Sequence, residues 1–182
     1  MKRKLAIMIP LLALIMVMVG CEQDDDEEIP VKLSFNMINS NGKQTNIFNI
    51  GEPIIFDLSI ENVSSNTVPF IYNIHKNNGI EIGSDLFRVY DEKGNDYGVP
   101  WSGQFCLFTE PEGINAKSKF HLYCSWSGID INNPFRCTYP LCKVEDNKPL
   151  PSGNYHCSFE ISYKGDNNKI TKILFTTNFK IR

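Results

Sequence analysis

The chain has 182 residues, with 18 Lys plus Arg against 21 Asp plus Glu and a formal charge of −3. Six of those acidic residues fall between Glu22 and Glu28, so residues 29–182 carry 15 acidic and 15 basic side chains. A neutral body lacks the clustered basic surface that nucleic-acid binding requires, and no stretch after residue 20 is long and apolar enough to span a bilayer.

Lys2, Arg3 and Lys4 form a positive start, and Leu5 to Val19 is an apolar run interrupted only by Pro10. That predicts a secretory signal over residues 1–20, too short and wrongly flanked for a spanning helix. The small residue Gly20 followed by Cys21 resembles the lipobox of bacterial lipoproteins. The resemblance implies cleavage between them, diacylation of the Cys21 thiol and acylation of the new amine, so that the membrane is a partner through lipid. Residues 21–30 are polar and charged and read as a disordered acidic tether. Within it, Asp24, Asp25, Asp26, Glu27 and Glu28 are similar to the export signal of Bacteroidota surface lipoproteins, which implies an outer-membrane protein facing the cell exterior. A solvated spacer is the alternative.

From Val31 onward, period-2 patterns alternate with turn signals. Val31, Leu33, Phe35 and Met37 share a face, and Asn39-Ser40-Asn41-Gly42 is a turn. Ile54, Phe56, Leu58 and Ile60 alternate with Asp57, Ser59 and Glu61. Val68, Phe70 and Tyr72 continue the period, with Pro69 pointing to an edge or bulge. Leu86 to Tyr90 and Gln104 to Thr109 read as short strands, separated by a turn at Asp91 to Asp96. Phe120, Leu122, Cys124 and Trp126 face away from Lys119, His121, Tyr123 and Ser125. Tyr155, Cys157, Phe159, Ile161 and Tyr163 form the next apolar face, and Ile173, Phe175, Phe179 and Ile181 the last. No window keeps a helical apolar stripe. The expectation is one all-β domain over residues 31–182, an antiparallel sandwich of about eight or nine strands.

Lipidation of Cys21 leaves Cys106, Cys124, Cys137, Cys142 and Cys157. Export favours disulfides, up to two bridges with one free thiol. Cys137 and Cys142 suit a local closure that pins a long loop over residues 134–151. Cys124 and Cys157 lie on apolar faces and suit a bridge between sheets, whereas a hairpin around Gly113 would pair Cys106 with Cys124 instead. Zinc is not expected: 12, 4 and 14 residues intervene between Cys124, Cys137, Cys142 and Cys157, without a two-residue knuckle. No metal or other cofactor is called for.

The segment Gly51-Glu52-Pro53-Ile54 through Asn62 resembles the strand that opens many bacterial immunoglobulin-like domains, and Leu150-Pro151-Ser152-Gly153-Asn154-Tyr155 resembles the start of a late strand there. Asp85 to Gly94, followed by Trp101, is similar to the intracellular proteinase inhibitor family of small β-sandwiches. Across residues 51–163 these resemblances imply an immunoglobulin-like fold. The Cys137–Pro151 segment departs from the inhibitor pattern.

Catalytic constellations do not stand out. The histidines are His75, His121 and His156, the latter two on polar strand faces, and Gly-x-Ser-x-Gly is missing. What remains is aromatic. Tyr97 and Trp101 lie in one loop beside Phe105 and Phe108, where exposed rings stack on sugars or anchor protein contacts; Trp101 fits core and surface equally. The sequence thus reads as a lipid-anchored, cell-surface, non-catalytic module binding a glycan or a protein. A proteinase-inhibitor-like module is the alternative, and an unrecognised hydrolase a remote one.

Overall fold

The computed structural model describes residues 29–71, 78–102, 113–126, Cys137, Leu141 and 147–182. The signal segment, Cys21, Asp24 to Glu28, the expected strand at 104–109 with Cys106, and Cys142 lie outside the described residues. No described helix is long and apolar enough to cross a membrane.

The described residues form β1 (Val31–Ile38), β2 (Ile47–Phe48), β3 (Ile55–Asn62), β4 (Val68–Pro69), β5 (Gly79–Ile82), β6 (Val89–Asp91), β7 (Asp96–Gly98), β8 (Gly113–Ile114), β9 (Lys119–Ser125), β10 (Gly153–Lys164) and β11 (Ile170–Ile181). Eleven strands exceed the expected eight or nine for a physical reason. Three are two-residue pieces, and β5 and β6 are two halves of one path that both pair with β10.

One sheet has the order β1-β3-β9 and the facing one β2-β11-β10-β6-β7, with β5 also on β10; β4 and β8 form a small third pair. All ladders are antiparallel except β2 on β11. The orders match strands A-B-E over G-F-C of the immunoglobulin plan.

Alternation produces the layers. The inward residues Phe56, Leu58 and Ile60 of β3 and Cys157, Phe159 and Ile161 of β10 are all buried. Each such large apolar side chain contributes roughly 1.5–3 kcal/mol by leaving water. Phe35 of β1 spans the layers, 5.0 Å edge-on from Phe159 and 5.7 Å from Phe87, which stacks on Phe56 at 5.7 Å.

Leu86 and Phe87 do not begin a strand as expected. They sit in a turn, with Leu86 N–H donating to Gly83 O and Arg88 N–H to Asp85 O, and Phe87 takes φ 66°. Both consecutive side chains are fully buried, which an alternating strand cannot provide on one face. The aromatic cluster around Phe87 holds this left-handed conformation.

Gly113 pairs with Pro69, and the first arm of the hairpin expected around it lies outside the described residues. The glycine lies in β8, where a Cβ would meet the Val68 carbonyl oxygen at 2.4 Å. Nearby, buried Asn62 donates through Nδ2 to Asn66 O, Ile114 O and Asn115 O and accepts from the Ser64 N–H and hydroxyl. It ties the β3–β4 and β8–β9 connections together at the end of the sandwich where the chain enters.

Candidate functional site

The two ends of the sandwich differ. Pro30, where the chain enters, shares a depression with Ser64, Asn66, Asn78, Tyr163 and Asp166. The hairpin joining β6 to β7 lies at the other end, about 25 Å away along eight-residue β1.

That hairpin is firmly built. Asp91 Oδ1 accepts from the N–H groups of Lys93 and Asn95, and Oδ2 from Asn95 Nδ2 at 2.7 Å. These bonds, the side-chain one first, hold the Asp91 carboxyl below its ordinary range. Arg88 Nη1 meets Asp96 Oδ2 at 2.5 Å, lowering the Asp96 carboxyl and raising the guanidinium. Asn154 Nδ2 donates to Glu92 Oε2, and Glu92 N–H to Asn154 O, fastening the tip to the start of β10.

Tyr97 stands on this hairpin 40% exposed, its ring 5.5 Å edge-on from buried Tyr155. Burial, with Tyr97 alongside, pushes the Tyr155 phenol up to about 12. On the outward face next to the hairpin, half-buried Tyr90 stacks on His156 at 5.2 Å. Tyr90 and His156 are the residues that sequence reading missed as a pair. His156 was legible on the polar face of its strand, but its cross-strand register with Tyr90 was not.

Trp101 is not part of an exposed aromatic platform. It is 5% exposed and its Nε1 donates to Leu86 O at 2.9 Å, because the turn at Leu86 offers an inward carbonyl that the indole meets. Phe105 and Phe108 lie outside the described residues. Trp126 is core, as its alternating face implied, and donates to Lys148 O.

The disulfide expectations are corrected. Cys124 pairs with Cys137, its antiparallel bridge partner at a Cα–Cα distance of 4.0 Å, and not with Cys157; Cys137 therefore is not the partner of Cys142. Cys124 lies in β9, the outer strand of its sheet, so the neighbour across its open edge is closer than the opposite layer. Cys157 does point inward, but β3, the central strand of the other sheet, bears Phe56 and Leu58 rather than a cysteine. Its thiol is free, and burial pushes its pKa up.

His121 Nδ1 lies 2.9 Å from Asp57 Oδ1 on the outer face of β3 and β9. Ser59 is its register partner and is buried, and no hydrogen bond joins the two among the described residues. The same residues contain no cluster of three or more metal-ligating side chains. Comparison with protein-family models, with curated proteins and with solved structures finds no match for this chain.

Proposed function

We propose that this protein is a lipid-anchored surface module that binds, without catalysis, a glycan or protein through the hairpin carrying Tyr97. The observation that carries the reading is the placement of exposed Tyr97 on a hydrogen-bonded tip at the end of the sandwich opposite Pro30. A lipid on Cys21 would hold the Pro30 end toward the outer membrane and turn the tip to the exterior. Pre-ordered aromatic side chains lose little entropy on binding and offer a flat apolar face with a polar rim, here Glu92, Asn95 and Asn154.

A glycan is favoured because one exposed ring beside hydrogen-bonding side chains suits a sugar face better than the larger apolar centre of a protein interface. The proteinase-inhibitor-like alternative rests on the resemblance of Asp85 to Gly94 and Trp101 to that family, and the loop at 134–151 whose protrusion would favour it lies mostly outside the described residues.

The test is retention of the full-length protein, in detergent, on immobilised polysaccharides of different sugar and linkage. Retention on at least one that weakens about tenfold in Tyr97→Ala supports the reading. Equal behaviour of wild type and variant on every polysaccharide removes the hairpin from it.

A further inference from the structure

β11 leaves one edge open. Its ladder with β10 runs unbroken from Ile170 to Ile181, but on the other side β2 reaches only Lys180 and Ile181. The N–H of Lys180 donates to Asn46 O at 2.8 Å and that of Arg182 to Phe48 O at 3.0 Å. Even-numbered residues therefore turn their backbone groups to this edge, and in an unbroken strand the parity carries back through Asn178, Thr176, Leu174, Lys172 and Ile170. Among the described residues, none of these has a main-chain partner on that side.

The strand is also unusually poorly defended. Leu174 is 69% exposed and Ile170 54%, the first and third most exposed of the large apolar side chains described. A lysine on an edge ordinarily repels a second strand, but Lys172 is drawn back over β10 to Glu160, Nζ to Oε1 2.9 Å. Beside the edge, a groove of about 500 Å3 between β1 and β11, lined by Phe35, Met37, Thr45 and Asn178, leaves the flank uncovered.

We propose that two copies of this chain associate by antiparallel β11–β11 pairing about a two-fold axis at Leu174. The parity makes Leu174 against its own copy a hydrogen-bonded pair, each such pair exchanging two main-chain bonds. Lys172 then faces Thr176 of the second copy and Ile170 faces Asn178, so no like charges meet and the exposed leucines cover each other. A two-fold contact needs one self-complementary patch, and this register supplies it. In the pair the two Pro30 ends point in opposite directions, so it lies along the bilayer with each Tyr97 tip directed sideways rather than outward as in a single copy, and residues 21–30, about 33 Å when extended, let both anchors reach the lipid. This inference is independent of the hairpin surface and can fail separately from it.

The experiment is sedimentation of the full-length protein in detergent across a concentration series, with Thr176→Lys and Thr176→Glu. Lysine at 176 sets two lysine pairs against each other, and glutamate sets two attractive pairs, so the dimer should weaken about tenfold in the first and tighten by a similar factor in the second. A misfolded variant cannot produce those opposite shifts. Leu174→Cys should cross-link to its own copy under mild oxidation, whereas Ile47→Cys, also exposed but off this register, should not. A monomer throughout the series, equal affinities of the two Thr176 variants, or equal cross-linking of the two cysteine variants overturns the proposal. So does capture of an unrelated extended peptide by a chain that never self-associates.

Discussion

The hydroxyl of Tyr155 donates to the carbonyl oxygen of Pro151 at 2.8 Å, two residues before Cys157 on the same strand. This is the tyrosine corner of immunoglobulin-like domains, a phenol near the start of the sixth strand bonded back to the preceding turn. Tyr155→Phe keeps the ring, which stacks on Phe179 at 5.5 Å, and removes that bond together with the phenol's hydrogen bond with Tyr97. The variant should lose about 1 kcal/mol in denaturant unfolding.

The same residue sets an alkaline limit. Burial in the folded state pushes its phenol from the ordinary 10.0 up to about 12. The folded state holds its proton more tightly, so its contribution is full below pH 10 and is lost as pH rises toward 12. The loss is on the order of 2 kcal/mol and should be missing from the pH profile of Tyr155→Phe. Identical profiles for wild type and variant would count against the buried phenol.

Cys124 and Cys137 should be recovered as one linked peptide under non-reducing digestion, and Cys157 should resist alkylation until the chain is unfolded. A bridge across 13 residues contributes about 3 kcal/mol, so Cys137→Ala should lower stability by that order. Recovery of Cys124 joined to Cys157 would restore the inter-sheet framework.

Asn62→Ala should cost roughly 2–3 kcal/mol, because it strands the Ile114 carbonyl at the end of the sandwich and unties the Ser64 turn. Chemical denaturation reads the loss. An unchanged midpoint would mean that water replaces the amide.

Trp101→Ala should destabilise by about 3–5 kcal/mol, since it empties a core site and orphans Leu86 O. Tyr97→Ala should stay within about 1 kcal/mol of wild type, as an exposed position does. Similar losses in both would contradict the assignment of one ring to the core and the other to the surface.

Cys21→Ser should incorporate no labelled palmitate, and each buried acyl methylene it forgoes is worth roughly 0.8 kcal/mol of membrane attachment. Alanine at Asp24, Asp25, Asp26, Glu27 and Glu28 should leave the protein membrane-bound but shielded from added protease. Normal labelling, or unchanged protease access, would refute the respective reading.

The class of fold was legible because a strand half-buried in a sandwich writes its two faces into alternate residues. Ile54 to Ile60 and Tyr155 to Ile161 announce β3 and β10 with the correct faces inward. Even Cys157 was read onto the right side of its strand. What alternation cannot carry is which strand lies beside which. The partner of Cys124, the stacking of Tyr90 on His156 and the open edge of β11 all depend on sheet order and register, which long-range packing sets. Leu86, Phe87 and Trp101 show the same limit within a shorter span. Only once a turn swings two neighbouring side chains into the aromatic core does a carbonyl face inward, and only then does the indole have a reason to follow it.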